Sequence, residues 1–318
     1  MIVTVTLNPA KDQTVQLEKL HVDAVNAVDQ VVETMGGKGI NVARVLSDLG
    51  ADVLATGLMG DKDQSLFQEY LDKYQVQTQF VTLEGSVRSN IKLVDRSTEE
   101  VTDINFPGFN ASDSDLDTVL QVIRAQPGIS FVAVCGSLPP GISLNAFETF
   151  LQSIKELGFK LAVDTSGKAL DAAIRVKPDL IKPNLSELSD WAEQAMSQEE
   201  AVSLAAELSD AGISDVVLSC GADGAWFVHH DQAIKALPGK VKVVSTVGAG
   251  DSMMAACLFG ITRELPRKDW ARLATACGMK AVSQPGVGEC SEETLMEYLA
   301  SVEVIEVGNK VKFAGAAR

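Results

Sequence analysis

An α/β layered protein built on a mostly parallel sheet is the fold class this sequence predicts, on three observations. Apolar, β-branched runs alternate with amphipathic stretches of helical length over most of the chain, the pattern of strands covered on both faces by helices. The apolar share, 46% of 318 residues, is ample for one packed core. Two regions, 11–35 and 88–106, break the alternation with short polar-apolar repeats such as Asn90-Ile-Lys-Leu-Val94 and Glu100-Val-Thr-Asp-Ile-Asn105; these predict antiparallel hairpins in a small second sheet.

In chain order, the apolar runs place strands at 2–7, 53–58, 131–135, 160–163, 180–182 and 215–219. The amphipathic stretches place helices at 39–49, 64–74, 113–125, 144–157, 197–211, 249–263 and 268–283. No internal repeat, low-complexity tract or Pro/Gly/Ser-rich linker divides the chain, so a single domain over 1–318 carrying a β lid at about 11–35 and 88–106 is expected. The last six residues, 313–318, are weakly patterned and read as a frayed tail or an appended remnant.

Lys and Arg number 27 against 43 Asp and Glu, a net charge of −16 that repels nucleic-acid phosphates and anionic lipid, so neither partner is expected. The longest apolar stretch, 253–261, is interrupted by Gly260 and falls short of the roughly 18–20 residues that cross a bilayer. Met1-Ile-Val-Thr-Val-Thr-Leu7 lacks a basic region and a cleavage pattern and reads as a first buried strand, which predicts a cytoplasmic location. Five widely spaced cysteines (135, 220, 257, 277 and 290) read as reduced core thiols. His229 and His230 end a strand-like run and, in an extended chain, face opposite ways, which argues against a zinc site.

The segment Ser245-Thr-Val-Gly-Ala-Gly-Asp-Ser-Met253 is the most informative. A strand-like run at 241–244 enters a glycine-rich turn that opens an apolar helix. Gly248 and Gly250 let backbone N–H groups converge on an anion at the positive end of the helix dipole. Asp251, in the first turn, reads either as a carboxylate that stabilises that dipole or as the base that takes a hydroxyl proton during phosphoryl transfer. A second glycine-rich stretch, Gly36-Gly-Lys-Gly-Ile-Asn-Val-Ala-Arg44, also opens a helix, with Lys38 and Asn41 pointing into one space. It is no Walker loop, because Gly39 stands where Ser or Thr is needed, and no dinucleotide fingerprint, because Val42 stands where a third glycine is needed.

Together and in this order, the Gly-Gly-x-Gly-x-Asn and Gly-Ala-Gly-Asp stretches resemble the ribokinase-like (PfkB-type) family of carbohydrate kinases, over residues 1 to about 300. The phosphosugar branch is the most similar: Thr6-Leu-Asn-Pro-Ala-Lys-Asp12, Arg88-Ser-Asn90, Gly136-Ser-Leu-Pro-Pro-Gly141, Lys182-Pro-Asn-Leu-Ser-Glu187 and Ser219-Cys-Gly-Ala-Asp-Gly224 all have counterparts there. The resemblance implies a three-layer sandwich with a small β lid, and Asp251 as base beside an anion hole at Gly248, Ala249 and Gly250. It implies sugar contacts at Asp12, Gly37, Gly39, Asn41, Ser137 and Asp251, with Lys38, Arg88 and Asn90 on the phosphate the sugar already carries. ATP contacts are implied at Lys182, Asn184, Ser219, Gly221, Gly224, Gly248 and Gly250. Magnesium is implied near Glu187 through water, and potassium near Ser245, Val247, Ala281, Gln284, Gly286 and Gly288, mostly through carbonyls. For Asn184 and Glu187 the sequence leaves a second reading open, a helix cap.

Asn105-Phe-Pro-Gly108 and the 245–253 segment look most similar to the bacterial 1-phosphofructokinase branch. That implies ATP-dependent phosphorylation of fructose 1-phosphate at its 6-hydroxyl, with tagatose-6-phosphate kinase and 6-phosphofructokinase as alternatives within the family. A base at an ordinary carboxylate pKa of ~3.9 is weak, so orientation is expected to matter more than basicity. The resemblance also implies a homodimer through the lid strands. Outside the kinases, a non-catalytic sugar-phosphate sensor is disfavoured by the joint presence of Asp251, the glycine turn and the Asn184/Glu187 pair. A dehydrogenase is excluded by Asn8-Pro9 after the first strand, where its glycine fingerprint belongs.

Overall fold

The computed structural model describes residues 1–307 apart from 99, 231 and 285; the expected tail at 313–318 lies outside the described residues. In chain order the elements are β1 (Ile2–Thr6), β2 (Ala10–Leu17), β3 (Gln30–Gly36), α1 (Lys38–Asp48), β4 (Val53–Gly60), α2 (Gln64–Asp72), β5 (Gln77–Leu83), β6 (Arg88–Asp95) and β7 (Glu100–Asn105). There follow α3 (Asp113–Arg124), β8 (Phe131–Cys135), α4 (Leu144–Glu156), β9 (Lys160–Asp164), α5 (Lys168–Val176), β10 (Leu180–Ile181), α6 (Leu185–Trp191), α7 (Gln198–Asp210) and β11 (Asp215–Ser219). The last elements are β12 (Ala225–His229), β13 (Gln232–Leu237), α8 (Ala249–Thr262), α9 (Arg267–Val282), α10 (Glu292–Ser301) and β14 (Glu303–Val307).

Ten strands form one sheet in the order β14-β13-β12-β11-β10-β9-β8-β1-β4-β5, parallel from β5 to β11 and antiparallel from β11 to β14. Strands β1, β4 and β8 are buried at every position, as parallel strands covered on both faces must be. On one face α1, α8, α9 and α10 pack in succession; on the other, α3 to α7 do. Helix α8 is apolar almost all round because it lies between α1 and α9.

The lid is a second sheet, β3-β2-β6-β7. Its two hairpins are antiparallel as expected, but a parallel β2–β6 pair joins them, since both strands leave the main sheet in the same direction. Register assigns each lid face a character, because residues opposite one another share a face. Asp12, Thr34 and Asn90 lie on one face; Val15, Val31, Ile91 and Ile104 lie on the other.

The run 241–244 is not a strand. Its place beside β13 is taken by β14, from the far end of the chain, and Val243 and Val244 are exposed. The strand expected at 180–182 stops at Ile181, leaving Lys182 beyond the sheet edge. His229 and His230 do not face opposite ways: His230 adopts a left-handed φ of 53° in the turn after β12, bringing the rings edge to face at 4.5 Å. All five cysteines are free thiols. Among the described residues no helix is long and apolar enough to cross a membrane.

Candidate active site

The carboxyl ends of β1, β8, β9 and β10, the N-termini of α1 and α8, and the near face of the lid bring most of the expected residues together, where open α/β sheets place their ligands. At the centre stands a residue the sequence reading passed over. Asp164 closes β9 with its side chain fully buried, Lys38 Nζ 2.9 Å from Oδ1 and Lys182 Nζ 3.2 Å from Oδ2. Burial works against this carboxylate, but the two ammonium groups outweigh it and hold its pKa below the usual range. Lys38 gains in turn: burial opposes its charge, yet Asp164, with smaller contributions from Asp251 and Glu187, holds the ammonium well above the ordinary lysine value. Lys38 keeps about a third of its side chain exposed, free to meet an anion from outside.

Asp251 lies in the first turn of α8, 7% exposed, and its Oδ2 accepts from Asn41 Nδ2 at 2.7 Å. Burial, reinforced by the charge of Asp164, lifts its pKa to about 6, against the pull of Lys38, Asn41 and Lys182. The expectation of an ordinary, weak carboxylate base is therefore corrected: the site raises the basicity of Asp251 while leaving it ionised at neutral pH. Gly248 caps α8 with a left-handed φ of 82°, and a Cβ there would stand 2.4 Å from Val287 Cγ1, so only glycine fits. The Lys182 ammonium lies 3.0 Å from where a Cβ of residue 250 would project, beside the N–H groups of this turn. A cation, a helix N-terminus and a glycine turn converge on one space, which fits a phosphate chain.

The lid supplies the neighbouring wall. Asn90 Nδ2 donates to Asp12 Oδ1 at 2.7 Å, and a Cβ at residue 36 would stand 2.1 Å from Asp12 Oδ2, so glycine at 36 makes room for the carboxylate. Arg88 Nε donates to the Asn8 carbonyl at 3.3 Å, while Asn8 Nδ2 donates to Ser137 Oγ at 3.2 Å, linking Arg88 and Ser137 through Asn8, a second residue with no predicted role. Gly37 is the N-cap of α1, and Gly39 packs against Thr6.

Asn184 and Glu187 form a reciprocal cap on α6: Asn184 Oδ1 accepts from Glu187 N at 2.8 Å, and Glu187 Oε2 accepts from Asn184 N at 2.9 Å. The cap reading is thus realised, yet Glu187 Oε1 takes no hydrogen bond among the described residues. Among the described residues no three His, Cys, Asp or Glu side chains stand close enough to hold a metal directly. Ser219 ends β11 beside Asn184, and Gly221 is exposed at the following turn. Gly224 differs from its expected role: it is buried, with a Cβ position 2.1 Å from the Ala236 carbonyl, and serves packing.

The two segments expected to carry potassium carbonyls meet, since Val244 N and Ser245 N donate to Val282 O at 2.7 and 3.3 Å, behind Ala281. Val247 is exposed, and Gln284 and Gly286 lie in the loop after α9, with Pro285 outside the described residues. Gly288 does not fit a cation ligand, because its carbonyl already accepts from the Arg44 guanidinium at 3.1 Å.

The profile of the pfkB family of carbohydrate kinases matches residues 5–294. The chain belongs to that family. This carbohydrate kinase is 38% identical over 305 residues to a curated 1-phosphofructokinase of Vibrio cholerae, covering 95% of this chain and 96% of that one. It is 40% identical over 289 residues to the 1-phosphofructokinase of Rhodobacter capsulatus, covering 90% and 91%. Among solved structures it is similar to phosphofructokinase-2 from Escherichia coli in complex with potassium, at TM-score 0.86 and 29% identity, covering 94% and 98%. The enzyme is a phosphotransferase, and kinases of this family use ATP with magnesium.

Asp164, Asn8 and Arg44 had no predicted role. For Asp164 a signal was present, a carboxylate at the carboxyl end of the apolar run Leu161-Ala-Val163, where open sheets gather functional groups.

Proposed function

We propose that this kinase transfers the γ-phosphoryl group of ATP to the 6-hydroxyl of fructose 1-phosphate, giving fructose 1,6-bisphosphate. The observation that carries the reading is the Asn41–Asp251 pair beside the glycine turn of α8, in a chain whose curated relatives across bacteria are 1-phosphofructokinases. Asp251, held by Asn41, accepts the proton of the attacking hydroxyl. The N–H groups of Gly248, Ala249 and Gly250 and the Lys182 ammonium receive the charge developing on the transferred phosphoryl group. Asp12 binds sugar hydroxyls, with Gly37, Gly39 and Ser137 lining the sugar; Lys38, Arg88 and Asn90 hold the phosphate the sugar carries. Asn184, Ser219 and Gly221 face ATP. Magnesium would be held through water on Glu187 and would neutralise charge on the phosphates of ATP. Potassium would rest on the carbonyls of Ser245, Val247, Ala281, Gln284 and Gly286.

The outer lid face supports a homodimer. Val31, Ile104 and Phe106 are exposed there, next to an open cavity of about 340 Å³ lined by Gln13, Ser89, Ile91 and Phe106. A second copy of the chain covers this face, and the enzyme works in the cytoplasm.

The deciding experiment is ADP release with Mg-ATP and, in turn, fructose 1-phosphate, fructose 6-phosphate, tagatose 6-phosphate and fructose, with Asp251→Asn as the blank. Highest kcat/KM on fructose 1-phosphate, lost in the blank, is the expected result. Preference for a 6-phosphate overturns the sugar assignment while keeping the base. Binding of sugar phosphates without turnover of any overturns the kinase reading in favour of a sensor.

A further inference from the structure

Helix α1 carries a row of polar groups at Asn41, Arg44 and Asp48, spaced three and four residues apart on one face. Asn41 holds Asp251. The other two residues hold a different segment. Arg44 Nη2 donates to the Gly288 carbonyl at 3.1 Å, and Asp48 Oδ2 accepts from Cys290 N at 3.1 Å, so the two side chains grip the loop after α9 by a carbonyl and an amide two residues apart. The grip is itself supported: the Arg44 guanidinium lies 4.3 Å over the ring of Tyr74, and Nη1 reaches Tyr70 Oη at 3.5 Å.

The same loop presents Val287, 2% exposed, whose Cγ1 stands 2.4 Å from the position a Cβ of Gly248 would take. Val287 therefore lies flat against the α-carbon of the residue that caps α8 and aims the N–H groups of the glycine turn. Gly248 is left-handed and has no side chain of its own to fix it; its placement depends on what packs against it.

We infer that Arg44 and Asp48 are positioning residues for the anion hole: they clamp the Gly288–Cys290 segment so that Val287 holds the Gly248 turn in its working geometry. The inference rests on the reading of that turn as the phosphoryl-binding element. A displacement of about 1 Å in such a turn suffices for a loss of up to about 10²-fold in rate. The loss falls on kcat and not on KM for the sugar phosphate, because the hole carries its greatest charge as the phosphoryl group transfers, whereas the sugar site, built on the lid and Lys38, is untouched. Asp48 serves the loop as an acceptor for the Cys290 N–H. Burial pushes its carboxyl up, with the Cys290 N–H and Arg44 opposing, and an amide oxygen can accept the same hydrogen bond.

The test combines kinetics with hydrogen exchange on the full-length protein at a temperature well below its unfolding. Arg44→Met and Asp48→Leu are expected to lower kcat about 10- to 30-fold with KM for the sugar phosphate within about twofold, and Asp48→Asn to retain activity within about threefold. In both damaging variants, amides of 244–254 exchange about tenfold faster while peptides of β8 and β9 keep the parental rate. The double variant Arg44→Met/Asp48→Leu loses less than the product of the single losses, because both act through one loop. Arg44→Lys, the milder change if Arg44→Met does not fold, loses about three- to fivefold with the same exchange pattern. Unchanged exchange at 244–254, or equal damage by Asp48→Asn and Asp48→Leu, overturns the inference. The exchange readout needs no substrate, so a failure of the kinase assignment shows itself separately, as absence of turnover in the parent protein.

Discussion

The crest of the main sheet and the lid differ in how they are held. Along the crest, β1, β4 and β8 are buried at every residue, and Asp164, Lys182 and Asp251 are embedded above them. In the lid, β7 is exposed at every residue and β3 over its first five. Groups that must stabilise a transition state are fixed by packing before substrate arrives, whereas the outer strands of the lid have few contacts of their own. The difference also separates the charges. On the crest a buried carboxylate is braced by two lysines, one buried and one partly exposed, so each depends on the others; on the lid most polar groups remain in water.

The largest effect expected from this contrast is at Asp251. Asp251→Asn should lower kcat about 10²–10⁴-fold with KM little changed, read in steady-state kinetics, and a loss confined to KM contradicts its role as base. The same substitution should stabilise the fold. The folded carboxyl titrates at about 6 against 3.8 in the unfolded chain, so its charge costs stability above pH 6 and nothing below about pH 4. The gain in denaturant unfolding should be about 1–3 kcal/mol at pH 7 and vanish at pH 4, because two pKa units correspond to roughly 3 kcal/mol.

Asp164→Leu comes next: it strands the Lys182 ammonium, 5% exposed, and should destabilise by about 3–5 kcal/mol in a denaturant melt. If stability is unchanged, the trio is not the internal brace of the crest. Third is the acid limb of the rate profile. With the base at about 6, kcat/KM should fall tenfold per pH unit below 6, whereas an ordinary carboxylate would hold the rate to about pH 4. On the lid, Ile104→Lys should leave unfolding within about 0.5 kcal/mol, as an exposed site allows, yet halve the mass seen in light scattering if the proposed dimer forms through this face. The smallest effect is on the α6 cap, where Asn184→Ala should cost about 1 kcal/mol of stability.

Strands with continuous apolar sequence could be read without the fold: Phe131–Cys135 and Asp215–Ser219 match their expected limits. Strand β5, Gln77-Thr-Gln-Phe-Val-Thr-Leu83, lies at the sheet edge with its polar residues in water and escaped notice, as did the antiparallel β13 and β14. Helices α5, α6 and α10, of nine, seven and ten residues, were not expected, although α2, also of nine residues, was. The run at 241–244 looked like a strand because β-branched residues favour extended backbone, but a strand also needs an unpaired neighbour, and β14 had taken the edge of β13.

The sequence by itself determined the layered α/β class, the lid segments and the two glycine turns with Lys38, Asn41 and Asp251. Each is written in local pattern: period, β-branching, and glycine where backbone must approach an anion. Tertiary structure alone decided that Asp164 joins Lys38 to Lys182 from 126 and 18 residues away, and that Asp251 titrates near 6. It also decided that Arg44 and Asp48 reach the loop behind Gly248 across more than 240 residues. Burial, the approach of like charges and hydrogen bonds between distant segments depend on which parts of the chain are brought together, and no local pattern records them.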